Sequence, residues 1–291
     1  MGTKLMSYEW MTQPTPQEEW IEGGGKSIWL ALFFTETGAG LFFVSVFFES
    51  TLGMILGWVL CMLLGCGFFL VHLGHPFRIF RAILRPQSSW ISRGGIFLGS
   101  FGILGALYIF LSYLAPNRDF TLLKVIIGIL CILVAIYAGM LMSYVRAVPL
   151  WNSGLLPMSY VVAGLWSGAE ILLVVHLLTG APVEQLDIWI RILLPSFALV
   201  LILYLISITS SSPIGWISVK RIVAGDLALH FYLGVLIIGL IFPVIVVLYS
   251  FSVGIASVAP ALILAAVASG LIGDLTIRYC ILKGALYSPV V

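Results

Sequence analysis

The stretch Phe231-Tyr-Leu-Gly-Val-Leu-Ile-Ile-Gly-Leu-Ile-Phe-Pro-Val-Ile-Val-Val-Leu-Tyr-Ser250 runs for 20 residues without a charged side chain. As a helix it rises about 30 Å, the thickness of the hydrocarbon core of a bilayer. It is too long for a barrel strand, and helices are otherwise the elements that satisfy their own backbone in lipid. The same reading, carried outward along the chain, places spans near 28–49, 54–74, 94–114, 122–145, 155–178, 189–209, 227–250 and 255–279. The expected fold is all-α, a polytopic membrane protein built as a bundle of eight transmembrane helices. Small residues, Gly38 and Gly40 on the first span and Gly95, Gly99, Gly102 and Ala106 on the third, are expected to permit close helix approach.

Composition agrees and excludes other classes. The 291 residues include 14 basic and 12 acidic side chains against 61% hydrophobic ones. A soluble surface needs roughly a quarter of its residues charged, so a water-soluble enzyme is ruled out. A net charge of +2 without a basic stretch interleaved with aromatics gives no nucleic-acid surface. Cys61, Cys66, Cys131 and Cys280 lie inside apolar runs, without a CxxC pair or a His at ligand spacing, so no metal is expected in this chain. Gly23, Gly24, Gly25 and Lys26 lack P-loop spacing. Residues 1–27, with acidic residues ahead of the first span, read as an interfacial or partner-contacting arm rather than a cleaved signal. The membrane domain is 28–280 and the tail 281–291.

An even number of spans puts both termini on one side, termed side A. Side A carries Lys4, Lys26, Arg78, Arg81, Arg85, Arg93, Arg146, Lys220, Arg221, Arg278 and Lys283, which is 11 of the 14 bases; side B keeps Arg118, Lys124 and Arg191. The positive-inside rule places side A in the cytoplasm. Four of the eleven bases fall in the loop 75–93, where binding a partner is an equal reason for charge, so orientation stays open.

Ionisable residues inside spans are costly and are candidate functional groups. Glu36 on the first span and Tyr137 on the fourth lie at similar expected depth from side A, and together suit the carbonyl head of a quinone. The alternatives are a Glu36 paired structurally with a neighbouring helix and a Tyr137 that only packs. Glu170 lies near the middle of the fifth span; Asp274 and Arg278 form an i,i+4 pair near the side A end of the eighth. A proton path through Glu170, Asp274 and Arg278 is one reading, structural carboxyls the other. His72 and His230 form a conceivable axial pair for a haem, but a transmembrane dihaem chain needs a second pair, and none exists. No haem is expected.

Two loops carry a more specific signal. His72-Leu-Gly-His-Pro-Phe-Arg78-Ile-Phe-Arg81-Ala-Ile-Leu-Arg85-Pro-Gln-Ser-Ser-Trp90-Ile-Ser-Arg93 resembles the H-L-G-x-P-x-R-x-x-R-A-x-x-x-P-x-S-S-W-x-S-R loop of the polysulfide reductase membrane subunit family, the NrfD/PsrC type. Tyr137-Ala-Gly-Met-Leu-Met-Ser-Tyr-Val-Arg146-Ala-Val-Pro149-Leu-Trp151-Asn152 is similar to its Y-x-G-x-L-x-S-x-x-R-A-x-P-x-W-N segment, and Arg278-Tyr-Cys-Ile-Leu-Lys-Gly to its closing motif. The resemblance implies an integral subunit without haem or metal that exchanges electrons and protons with menaquinone or ubiquinone. It further implies an iron–sulfur partner subunit that wires a molybdopterin catalytic subunit, in the cytoplasmic membrane.

The resemblance assigns the quinone-contacting tyrosine to Tyr137. Where some members carry Asn and His on the first helix, this chain reads Ser27-Ile-Trp-Leu-Ala31, which leaves Glu36 as the ionisable candidate there. In physical terms, quinone chemistry moves two electrons and two protons, so Tyr137 would donate a hydrogen bond to one carbonyl while Glu36 or His72 exchanges a proton. Arg78, Arg81, Arg85, Trp90, Arg93 and Arg146 would dock an acidic face of the iron–sulfur subunit. The competing classes are a proton- or ion-translocating transporter-like module, using the intramembrane acids as its path, and a purely structural anchor.

Overall fold

A computed structural model describes residues 14–73, 83–115 and 118–289. Among them, eight helices are long and apolar enough to cross a membrane: α1 (Lys26–Phe47, continued from a short turn at Gly23), α2 (Thr51–His72), α3 (Trp90–Leu114), α4 (Thr121–Ser143), α5 (Leu155–Thr179), α6 (Glu184–Ser211), α8 (His230–Val253) and α9 (Pro260–Lys283). A shorter helix, α7 (Pro213–Ala224), lies on side A between α6 and α8. The expected spans are all present, with ends displaced by a few residues. The displacement that matters is α6, which begins at Glu184 rather than 189 and so takes Asp187 into the helix.

Local chemistry marks the ends. Ser50, Ser89 and Ser212 each accept a backbone N–H from the first turn of α2, α3 and α7, and Pro213 opens α7 where its missing N–H costs nothing. Gly180 closes α5 with a φ of 71°, a left-handed conformation that suits glycine. Two spans are locally unwound into π-helix, Val59–Gly65 in α2 and His230–Ile241 in α8.

The spans form two four-helix groups. Helices α1–α4 close on a core of Phe42, Met54, Cys61, Phe101, Cys131 and Val134. Helices α5, α6, α8 and α9 make the second group, whose core includes Trp166, Phe197, Tyr204, Val235 and Ile277. The groups meet where α1 lies along α5 and reaches α9. Glycines decide that approach: a Cβ on Gly40 would fall on the Gly164 backbone, and one on Gly168 on the Leu41 backbone. Backbone against backbone is the close packing that small residues allow in lipid. Gly38 serves α2 in the same way and Gly102 meets Met62, whereas a side chain at Gly99 would meet open space. Large apolar residues such as Leu122, Ile129, Ile192 and Leu199 are exposed and face where lipid would be.

The described end segments, from residue 14 and up to residue 289, lie at side A and hold one another. Strands β1 (Thr15–Pro16) and β2 (Leu286–Tyr287) pair antiparallel. Glu19 accepts from the Tyr287 hydroxyl at 2.9 Å, Lys283 is paired with Glu22, and the Ser288 amide bonds the Ala147 carbonyl at 2.7 Å. Just beyond α7, Arg221 grips Asp226 through two nitrogens, at 3.2 and 2.8 Å, and holds its carboxyl below the usual range.

Candidate functional site

Where α1, α5 and α9 meet, an otherwise apolar bundle contains a continuous polar seam. Arg278 on α9 is 1% exposed, and its partners Glu36 on α1 and Asp274 on α9 are fully buried. Arg278 Nε donates to Glu36 Oε1 at 2.8 Å, and its Nη2 lies 3.2 Å from Asp274 Oδ1. The guanidinium rests over the ring of Tyr160 on α5 at 3.8 Å, a cation–π contact strengthened by the absence of water. Ser167 Oγ on α5 donates to Asp274 Oδ2 at 3.1 Å. The Tyr160 hydroxyl donates in turn to Met142 Sδ on α4.

Helical spacing explains the assembly. Tyr160, Ser167 and Glu170 share the α9-facing side of α5, and Gly270, Asp274 and Arg278 follow at four-residue steps on α9. The carboxylate of Glu170 sits on Gly270, where an added Cβ would lie 2.5 Å from Oε2, one turn from Asp274. Glu170 is 3% exposed, and among the described residues its Oε2, like Glu36 Oε2, has no hydrogen-bond partner. A buried charge needs a partner, and Arg278 supplies one positive charge to two carboxylates. The ionised triad therefore carries a net charge of −1 (one cation, two anions), and one added proton neutralises it. That is chemistry suited to holding and passing a single proton.

Tyr137 lies elsewhere. It is 6% exposed on α4 and turns toward α2 and α3, with its ring 6.5 Å from Phe69 and pressed on Gly94, where a Cβ would collide with it. Among the described residues no bond joins Tyr137 to Glu36, whose carboxylate is directed at α9. The two residues thus occupy different helix faces rather than one common wall. His72, at the end of α2, is exposed and its Nδ1 lies 3.1 Å from the Gly24 carbonyl at the start of α1. His230 is exposed beside the Tyr279 ring at 5.4 Å.

On the side A rim, Arg85 and Arg146 are exposed. Arg93 shapes its own loop, donating to the carbonyls of Pro86 at 2.8 Å and Gln87 at 2.9 Å and stacking on Trp90 at 4.5 Å. Arg78 and Arg81 lie outside the described residues. Trp151 is neither belt nor rim: it is 1% exposed, donates to the Ile281 carbonyl at 3.0 Å and packs on Trp20. No group of three His, Cys, Asp or Glu side chains able to hold a metal occurs among the described residues.

A family model described as polysulphide reductase, NrfD, matches residues 25–289. The chain belongs to the NrfD family. The match begins in the turn that opens α1 and ends beyond β2, so it takes in both helix groups and the whole polar seam. A comparison with individual curated proteins returned no match. With its eight spans, this NrfD-family chain is a multi-pass membrane protein, the membrane anchor of a polysulphide reductase type of oxidoreductase.

Sequence reasoning found each ionisable member of the triad but not that Glu36 and Arg278, 242 residues apart, are partners. It passed over Tyr160 and Ser167, which look like ordinary helix residues; their only signal is i,i+7 spacing on one face. Asp187 falls just ahead of the expected sixth span and carries no signal there, and its partner Arg191 counts in the sequence only as a side B base.

Proposed function

We propose that this NrfD-family chain is the quinone-reactive subunit of a respiratory complex in the cytoplasmic membrane. It binds menaquinone or ubiquinone near the side A end of the first helix group and exchanges electrons with an iron–sulfur subunit docked on side A. That subunit connects to a molybdopterin catalytic subunit. The observation that carries this reading is the family match along residues 25–289. The setting of Tyr137 supports the reading: a buried phenol, the polar end of an apolar neighbourhood, packs beside Phe69 and Gly94 between α2, α3 and α4.

A bound quinone supplies two-electron, two-proton chemistry. The chain's own residues do the remainder. The Tyr137 hydroxyl hydrogen-bonds a carbonyl and fixes the ring's orientation, while His72, open to side A, exchanges a proton with water. Glu36 is the buried proton acceptor, joined through the Arg278 guanidinium to Asp274, with the Glu170 carboxylate one turn along α9 at Gly270. Exposed Arg85 and Arg146 and the Arg93–Trp90 stack form the basic rim for an acidic partner face, and Arg78 and Arg81 are assigned to the same docking role from the sequence alone.

The test is Tyr137→Phe in the complex purified with its partner subunits. Assembly is expected to be unchanged and quinone-linked turnover to fall about 100-fold, as when one positioned hydrogen-bond donor is removed. Normal quinol kinetics in that variant would remove Tyr137 from the site.

A further inference from the structure

The polar seam does not stop at Glu170. Below it, toward side B and inside the second helix group, lies a cavity of about 30 Å³ whose walls include Glu170, Asp187, Ser250, Leu173, Val246 and Ala266. Its polar lining comes from opposite ends. Glu170 stands about 22 Å along α5 from Leu155, near the bilayer middle, and presents a buried carboxylate oxygen without a partner among the described residues. Asp187 stands in the first turn of α6 at side B, paired with Arg191 at 2.5 Å and 3.5 Å from the Ser250 hydroxyl. Arg191 donates to Ser250 at 3.1 Å and lies over the Phe251 ring at 3.7 Å, with its side chain partly open to side B.

A site for one water needs about 10–15 Å³, so this cavity has room for about two, with Glu170 at one end and Asp187 and Ser250 at the other. We propose that it holds a short file of waters that joins Glu170 to Asp187, making the seam Glu36–Arg278–Asp274–Glu170 a proton relay that opens at side B. Each transfer is one proton: the Glu170 carboxyl gives its proton to the first water, each water hands on one of its own, and the last gives one to the Asp187 carboxylate. Water is regenerated and Glu170 is left ionised until the triad reprotonates it; the reverse order moves a proton inward. Arg191 keeps Asp187 at the rim, and Leu173 and Val246 line the cavity and exclude a wider water column. The inference rests on the quinone reading for its purpose: protons exchanged with side B while electrons pass at side A would make turnover charge-separating.

The experiment uses the purified complex in sealed vesicles, with a quinol analogue and a pH-sensitive dye on the side B face. Wild type is expected to exchange protons at side B during turnover. Asp187→Asn and the cavity-filling Ala266→Leu are expected to keep quinone-linked electron transfer and to lose side B proton exchange by about 100-fold, with Asp187→Glu restoring it. Wild-type side B exchange in both Asp187→Asn and Ala266→Leu would overturn the relay, as would wild-type turnover whose protons all appear at side A. A second readout needs no quinone: the infrared carboxyl band of Glu170, identified by its loss in Glu170→Gln, is expected to shift in D2O and in Asp187→Asn. An unshifted band overturns the relay, whereas a shifted band in a complex without quinone-linked turnover sinks the quinone reading alone.

Discussion

Arg278 holds the seam together by charge. It is the one cation within bonding distance of Glu36 and Asp274 among the described residues, and all three are removed from water. Removing one partner from a buried ion pair leaves an uncompensated charge and costs about 3–5 kcal/mol, whereas replacing the whole set by apolar groups is close to neutral. Arg278→Leu is therefore expected to lower thermal stability of the detergent-solubilised protein by that amount. The triple variant Arg278→Leu, Glu36→Leu, Asp274→Leu, which replaces the set by apolar groups, is expected to recover most of it. Equal thermal stability of Arg278→Leu and wild type would show that the carboxylates do not need their guanidinium.

At the scale of elements, the contact of α1 with α5 positions everything above. Fifteen of the 22 residues of α1 are buried, because it is the helix that both groups share. Its approach to α5 depends on Gly40, Gly164 and Gly168, and a Cβ at Gly164 would lie 2.7 Å from the Glu36 carbonyl oxygen. Gly164→Val thus pushes apart the backbones that bring Glu36 to Arg278. Overpacking of this kind costs about 1–3 kcal/mol, and more where backbone rather than side chain must give way. The expected outcome is a protein of lower melting temperature that also loses proton-coupled turnover, while Gly99→Ala, which meets open space, melts as wild type does. An unchanged melting temperature for Gly164→Val would mean the two helices have room that the structure does not give them.

At the scale of the whole molecule, charge and topology set sidedness. The strands β1 and β2 near the two ends of the chain pair on side A, and the sequence assigns 11 of 14 bases to that side. By the positive-inside rule side A faces the cytoplasm, so in intact cells a membrane-impermeant maleimide is expected to label Ser257→Cys and to spare Tyr144→Cys. Both positions are exposed, one beyond α8 and one beyond α4, while the native cysteines are buried or half-buried. The opposite labelling pattern would mean that the basic loop after α2 is charged for docking rather than for orientation, and would move the partner subunits to the other compartment.

Apolar length alone determined the eight spans, since a bilayer demands about 20 uncharged residues in every crossing helix. Scarcity of charge likewise singled out Glu36, Glu170, Asp274 and Arg278, because each buried ionisable group is too costly to be incidental. Only the tertiary structure decided which of them meet. Pairing across 242 residues depends on how α1 and α9 each pack on α5, and those approaches are set by glycines with no hydropathy signal, Gly40, Gly164 and Gly168 between α1 and α5 and Gly270 against Glu170. The same packing separated Tyr137 from Glu36, which similar depth in the sequence had placed together: depth is a property of one helix, but facing is a property of two. It also brought Asp187 to within one small cavity of Glu170, because α6 starts a turn earlier than its apolar run and carries a charged first turn that only a salt bridge to Arg191 makes tolerable.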